Sequence, residues 1–145
     1  MAWLVARGQT GQWGDEPFSA KDSRVAQVRR WAASGGLWLA QLEGDDEPAG
    51  AIVVGDAPGY VPAPDRPELY VLVLLTASRA RGLGVGARLI GHVASLARDT
   101  GAAQLRVDCW DGVPELPAHY ERLGFTRVGS FDVGGWPGAI LIMAL

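Results

Sequence analysis

The sequence ELYVLVLLTASRARGLGVGARLIGHVASLARDT, residues 68–100, carries the pattern that decides the fold. Residues 68–76 are nearly continuous apolar and rich in β-formers, which is typical of a central strand buried on both faces. Residues 84–100 have the spacing of an amphipathic helix. The apolar stripe of that helix consists of Val85, Leu89, Val93 and Leu96.

The turn between this strand and helix reads Arg81-Gly82-Leu83-Gly84-Val85-Gly86. Small residues at this point let backbone N–H groups turn toward one place, and the helix N-terminus adds a partial positive charge. Arg81 can add charge-assisted contacts. The turn therefore has the features of a phosphate-binding loop.

Other interpretations of the glycines are open at this point. A Walker loop ends in Gly-Lys-Ser/Thr, and the turn contains no lysine. Gly82, Gly84 and Ala87 match the dinucleotide fingerprint, but residues 77–81 separate them from the strand, and alanines stand where the acidic residue is expected. A purely structural interpretation is a tight turn with close helix packing.

The pattern to either side of this segment predicts a mixed α/β (α+β) sheet flanked by helices. We expect a helix from Ser19 as its cap to Gly35, strands over 37–43 and 49–55, a strand over 104–110, a short helix over 113–123 and final strands over 125–131 and 139–144.

Composition narrows the class of protein. A chain of 145 residues predicts a single domain, 1–145. The net charge of −3 gives no basic surface for nucleic acid, and no apolar run is long enough for a membrane span. Cys109 is the only cysteine, which predicts a reducing, cytoplasmic setting. With two histidines and one cysteine outside ligand spacing, we expect no metal site.

Three segments together resemble the GNAT superfamily of N-acetyltransferases. Residues 81–86 with the helix that follows resemble its acyl-CoA pyrophosphate loop, and Tyr120-Glu-Arg-Leu-Gly-Phe125 is similar to its closing motif. Residues 105–110 are similar to the strand between the two motifs. The resemblance spans residues 13–145, is sharpest over 70–125, and implies a mostly antiparallel, twisted sheet.

The resemblance also implies a cosubstrate, acetyl-CoA, and the residues that bind it. In this superfamily the strand before the loop separates from its neighbour, and the pantetheine pairs with its backbone. The implied cofactor-binding residues are Leu74, Leu75, Thr76, Arg81, Gly82, Leu83, Gly84, Val85, Gly86 and Ala87.

Two residues are candidates for proton transfer. Tyr120 matches the family tyrosine that protonates the departing CoA thiolate; its alternative role is a core tyrosine on the Leu116/Leu123 stripe. Asp108, late on the separating strand, is the candidate general base acting through water. Its alternative is a structural carboxylate bonded to a nearby turn.

The predicted function is an acyl-CoA-dependent N-acyltransferase that moves an acetyl group from acetyl-CoA directly to a small-molecule amine. The alternative is a non-catalytic acyl-CoA-binding or regulatory module on the same fold. It is prompted by Val113, which stands where many relatives carry an asparagine, and by the almost wholly apolar residues 70–75. Trp13, Trp110 and Trp136 are candidates to line the acceptor pocket. Trp38 lies in a periodic element, and we expect it in the core.

The start of the chain departs from the family pattern. Relatives usually have a strand and a helix before the region of Trp13, and few residues precede Trp13 here. We therefore expect the first strand of the family to be missing. One sheet edge is then open or covered by a partner, for which a second copy of the chain, in a homodimer, is the candidate.

Overall fold

The structure, a computed structural model, describes residues 18–145. Within them the chain forms three α-helices and six strands, with short 3₁₀ turns at Phe18–Ala20 and Ser78–Ala80. The elements are α1 (Asp22–Ala33), β1 (Leu37–Gln41), β2 (Pro48–Gly55), β3 (Glu68–Thr76), α2 (Val85–Asp99), β4 (Gln104–Trp110), α3 (Glu115–Arg122), β5 (Thr126–Val133) and β6 (Trp136–Ala144).

The strands form one sheet in the order β1-β2-β3-β4-β6-β5. Only β3 and β4 run parallel, because α2 connects them as a crossover, and the other neighbours are antiparallel. The predicted mixed, mostly antiparallel sheet with flanking helices is thus confirmed. The central strands β3 and β4 have the bounds that the sequence pattern predicted.

The main core lies between the sheet and helices α2 and α3. Of the predicted stripe, Val85, Leu89 and Val93 of α2 are buried, whereas Leu96 is only half-buried. The three buried residues pack with Leu105 and Val107 of β4, because alternate residues of a strand face the same side. The other face of β4 carries Gln104, Arg106 and Asp108, and the loop between β2 and β3 reaches it.

Two local predictions were wrong. Ser19 does not cap a helix: α1 begins at Asp22 after Lys21, without a side-chain cap bond. Trp38 is 37% exposed, because β1 is an edge strand of the described sheet, and its ring meets His92 edge-on. The expected absence of the first strand, and the pocket role of Trp13, concern residues before Phe18, which lie outside the described residues.

The sheet edges bear on the predicted homodimer. Among the described strands, β1 and β5 each have one neighbour only. Leu39 on β1 and Val128 on β5 are well exposed. Neither exposure identifies what covers an edge, so the homodimer stays a prediction. No helix among residues 18–145 is long and apolar enough to cross a membrane.

Candidate active site

The two central strands separate halfway along their length. They pair only from Glu68↔Gln104 to Val71↔Val107, although both strands continue beyond that point. On the other side of β3, Val53 of β2 pairs with Val73 while Val54 pairs with Val71, which leaves Leu72 as an extra residue. An extra residue of this kind is a β-bulge, which bends and twists its strand. The bulge therefore begins where β3 leaves β4.

A cavity of about 300 Å³ occupies the resulting gap. The separated parts of β3 and β4 form its floor, and α1, α3, the β2–β3 loop and the β5–β6 hairpin form its walls. Its lining includes Trp31, Tyr60, Leu72, Leu74, Asp108, Tyr120 and Trp136. Both candidate proton-transfer residues, Asp108 and Tyr120, thus lie at one cavity.

The glycine loop has the backbone that a phosphate cradle needs. Gly82 and Gly84 have φ values of +80° and +73°, in the left-handed region that costs other residues about 1–2 kcal/mol. Gly84 is the N-cap of α2 and provides no side-chain cap. The amide of Arg88 donates to the Gly84 carbonyl at 3.0 Å. The helical N–H groups before Arg88 therefore lie at the open, positive end of the helix.

Not every amide of the predicted set points outward. The amides of Arg81 and Leu83 donate within the turn, to the carbonyls of Ser78 and Ala80, at 3.3 Å each. The backbone amides of Gly82, of Gly84 and of the first residues of α2 are therefore better placed to bind an anion. The loop also adjoins the end of β3: a Cβ at Gly86 would lie 3.7 Å from Oγ1 of Thr76.

The backbone groups of Leu74, Leu75 and Thr76, the three residues predicted to bind the cosubstrate on β3, do not all point the same way. The amide of Ala77 donates to the Ala49 carbonyl at 2.8 Å, so this opposite pair is hydrogen-bonded. In an antiparallel pair of strands, hydrogen-bonded and non-hydrogen-bonded positions alternate. Leu75 therefore pairs toward β2, while the backbone of Leu74 and of Thr76 points toward the gap.

Tyr120 is both a core residue and a cavity residue. Its side chain belongs to the main core, and its ring meets Phe125 edge-on at 5.8 Å between centroids. Burial, with the nearby Cys109 and Asp108, raises the pKa of Tyr120 above its ordinary value of 10.0. The phenol consequently keeps its proton at neutral pH, which is the state that a general acid needs.

Asp108 is held by a side chain that the sequence analysis missed. Its Oδ1 atom accepts a hydrogen bond of 2.5 Å from the hydroxyl of Tyr70, across the two central strands and not from a turn. Burial raises the pKa of Asp108 above 3.8, although the Tyr70 hydrogen bond and the charge of Arg106 oppose the rise. The carboxylate is thus held in place beside the gap.

Several of these polar residues could have been found by their spacing. One face of the two central strands carries a polar row, which consists of Glu68, Tyr70, Gln104, Arg106 and Asp108. The polar residues are two positions apart within each strand, at Glu68 and Tyr70 on β3 and at Gln104, Arg106 and Asp108 on β4, which is the period of one sheet face. The other positions of β3 are apolar and dominate its pattern, which therefore predicts an almost wholly apolar strand.

Of the remaining tryptophan and cysteine residues, some pack against neighbouring residues and one lines the cavity. The Trp110 ring lies so close to Gly112 that a Cβ there would clash with it, and Trp110 is not among the described residues around the cavity. Trp136 does line it. Cys109 is 1% exposed and packs in the main core, where burial raises the pKa of its thiol to about 12. Within residues 18–145, no cluster of acidic, histidine and cysteine side chains could hold a metal.

Comparisons with known proteins agree with this geometry. A family model described as "Acetyltransferase (GNAT) family" matches residues 3–125. An acetyltransferase assigned to that family, from Desulfovibrio desulfuricans, has a TM-score of 0.69 and 21% identity, over 99% of this chain and 91% of its own. A GNAT family acetyltransferase from Elizabethkingia anophelis with acetyl-CoA bound has a TM-score of 0.63 and 17% identity, over 92% and 93%.

A third solved structure extends the range of similar proteins. The chain is similar to an IAA acetyltransferase from Bacillus cereus, with a TM-score of 0.62 and 17% identity, over 90% of this chain and 96% of the other. At these identities the likeness shows a shared fold. No curated protein matches the chain significantly.

Proposed function

The chain belongs to the acetyltransferase (GNAT) family, and on that premise we propose that it transfers the acetyl group of acetyl-CoA directly to the amine of a small molecule. One observation carries the proposal. The gap between β3 and β4 opens at the Leu72 bulge, and the cavity in it is lined by a carboxylate, Asp108, and a protonated phenol, Tyr120.

The residues around the gap fit the cosubstrate. Left-handed Gly82 and Gly84 and the open N-terminus of α2 suit a pyrophosphate group, which binds to backbone N–H groups at such a helix end. The outward-facing backbone of Leu74 and Thr76 suits an extended chain of amides, which pairs as an added strand does. Bound acetyl-CoA supplies an acetyl thioester, whose carbonyl carbon is open to attack by an amine.

Asp108 and Tyr120 take the two proton transfers of this reaction. The acceptor ammonium gives a proton to Asp108, directly or through one water, which frees the nitrogen lone pair. As the N–C bond forms and the C–S bond breaks, Tyr120 gives its phenolic proton to the sulfur. The nitrogen, which still carries one proton more than the amide product, gives that proton through water to Tyr120, and solvent removes the one on Asp108, so the side chains end as they began.

The alternative is a module that binds acyl-CoA without transferring its acyl group. Val113, which stands where many relatives carry an asparagine, favours it. Both functions require binding of acyl-CoA, and only the first includes transfer of the acyl group.

Two measurements separate these functions. We expect acetyl-CoA and CoA, but not NAD(H), to raise the unfolding temperature. A panel of primary amines, followed by mass spectrometry of the acetylated product and by CoA release, then tests transfer. Stabilisation by acetyl-CoA without product from any amine would favour the binding module. Stabilisation by NAD(H) alone would contradict both functions.

A further inference from the structure

The polar row continues from the start of the central strands to the cavity. Because β3 and β4 pair in parallel register, Glu68 lies beside Gln104, and Tyr70 lies beside Arg106. Asp108 follows Arg106 on the same face of β4, at the point where β3 has turned away. The row thus ends in the gap.

Side-chain contacts connect the row from one end to the other. Nε2 of Gln104 donates to Oε2 of Glu68 at 3.2 Å, and Nη2 of Arg106 donates to Oε1 of Glu68 at 2.8 Å. The guanidinium carbon of Arg106 lies 5.3 Å from the centre of the Tyr70 ring, within the range of a cation–π contact. The Tyr70 hydroxyl donates to Oδ1 of Asp108 at 2.5 Å.

Burial makes this arrangement rigid. Tyr70 is 0% exposed and Arg106 is 5% exposed. The phenol cannot swing into solvent, and its hydroxyl is satisfied by Asp108. The side chain of Tyr70 is therefore fixed on its ring face by Arg106 and at its hydroxyl by Asp108.

We propose that Tyr70 is a positioning residue for acetyl transfer: its hydrogen bond holds Oδ1 of Asp108 and stabilises the ionised carboxylate, so that Oδ2 receives the proton of the acceptor amine. The proposal rests on the proposed function, in which Asp108 is the base. Tyr70 itself neither gives nor takes a proton. Burial and the charge of Asp108 raise its pKa far above the ordinary value of 10.0, so it remains a hydrogen-bond donor.

The titratable and charged groups that contact Asp108 or line the same cavity come from several elements. Tyr70 and Arg106 belong to the polar row, Tyr60 reaches the cavity from the β2–β3 loop, Tyr120 from α3 and Arg24 from α1. Of these, the Tyr70 hydrogen bond and the Arg106 charge lower the pKa of Asp108, against the effect of burial. Removal of the Tyr70 hydroxyl therefore raises the pKa of Asp108 and weakens the base at low pH.

The test is Tyr70→Phe, which removes one oxygen and keeps the buried ring. The pH profile of kcat/KM is measured with an amine that the wild-type protein acetylates. We expect its acid limb, the low-pH range in which kcat/KM rises as Asp108 ionises, to move to higher pH. On that limb kcat/KM falls roughly tenfold below wild type, since a hydrogen bond to a charged group is worth that much. On the high-pH plateau it stays within about threefold, and the affinity for acetyl-CoA is unchanged.

Two further variants make the test specific. Tyr60→Phe removes another phenol that faces Asp108 and should leave the acid limb where it is. Asp108→Asn should remove the limb and most of the activity, and adding Tyr70→Phe to it should then cost little more, because the two side chains act as one unit.

A separate measurement distinguishes this proposal from the proposed function. In protein carrying ¹³C-labelled aspartate, the Asp108 carboxyl should titrate at higher pH in Tyr70→Phe than in wild type. An equal loss of kcat/KM at every pH, or an unmoved titration, would overturn the positioning role. If the wild-type protein acetylates no amine, the proposed function fails, and a shifted titration then marks a structural contact, which also overturns a role in transfer.

Discussion

Arg106 and Glu68 form an ion pair with 2.8 Å between Nη2 and Oε1, and their side chains are only 6% and 8% exposed. Arg106 also donates to the Pro62 carbonyl at 2.7 Å, so the pair joins the β2–β3 loop to the sheet. Two opposite charges are thus withdrawn from water together on the polar face of the central strands.

Removal of one partner of this pair should be strongly destabilising. Glu68→Gln leaves the Arg106 guanidinium buried without its counter-charge, which costs about 3–5 kcal/mol in the free energy of unfolding. Urea unfolding measures the change. Arg66→Gln, which breaks the exposed pair with Asp65, is the matched control and should change nothing measurable. A small effect of Glu68→Gln would show that the pair is hydrated.

Gly84→Val should abolish binding of acetyl-CoA. Gly84 has a φ of +73°, and a β-branched side chain is a strained outlier in that region. The loop would have to change its backbone and turn its amides away. Gly91→Ala is the control within the same helix: a Cβ at Gly91 meets nothing within 4 Å, so the alanine should raise stability by about 0.5–1 kcal/mol. Calorimetric titration with acetyl-CoA measures binding, and retained affinity in Gly84→Val would exclude the cradle.

Tyr120→Phe should reduce turnover far more than it reduces affinity for acetyl-CoA. The phenol is the proposed acid for the departing sulfur, and general acid catalysis contributes about 10²–10⁴-fold. Because its pKa is raised, turnover by the wild-type enzyme should not fall between neutral pH and pH 10.0 through loss of this proton. Steady-state kinetics with product detection checks both statements. Unchanged turnover would leave Tyr120 with its core role alone.

Asp108→Asn should make the protein more stable at pH 7 while it removes activity. Burial raises the pKa of Asp108, so the folded state binds its proton more tightly than the unfolded state does. The stability that the protonated form provides is complete below the ordinary pKa of 3.8 and is lost as the pH rises through the folded value. Asparagine stays neutral and can still accept from Tyr70.

Thermal unfolding from pH 3 to pH 8 measures this difference. The unfolding temperature of Asp108→Asn should exceed that of wild type at neutral pH, and the two should converge below the ordinary pKa. A lower unfolding temperature at pH 7 would mean that the Tyr70 hydrogen bond to the ionised carboxylate outweighs the cost of burying it.

Cys109 should not react with thiol reagents in the folded protein. It is 1% exposed, and its pKa is raised to about 12, so little of the reactive thiolate exists at neutral pH. Ellman's reagent should label one thiol in urea and none in buffer. Rapid labelling in buffer would reveal opening of β4. The prediction is useful, because CoA release can then be followed with the same reagent.

The sequence predicted best those features that depend on local pattern. The bounds of β3 and β4 and the buried stripe of α2 follow from runs and periods of apolar residues, which the structure preserves. The helix cap predicted at Ser19 was wrong, because Phe18–Ala20 forms a separate 3₁₀ turn. The core position predicted for Trp38 was wrong. Sequence periodicity indicates on which face of an element a residue lies, whereas its burial depends on what packs against that face.

The contacts of the candidate site depend on register, which a single sequence does not specify. The hydroxyl of Tyr70 meets Asp108 because β3 and β4 pair in parallel over a few residues and then separate. No local sequence pattern predicts how β3 pairs with β4, and none identifies Leu72 as the unpaired residue. The resemblance to a family indicated a gap, but not which side chains hold the carboxylate inside it.

The Leu72 bulge makes the site sensitive to the length of the chain as well as to its chemistry. A single-residue deletion at Leu72 would give β3 the same count as β2 and restore an unbroken ladder through Val71 and Val73. Such a deletion would keep every proposed binding and proton-transfer side chain while removing the bend that opens the sheet. In this chain, the opening of the sheet therefore depends on a single residue of strand length.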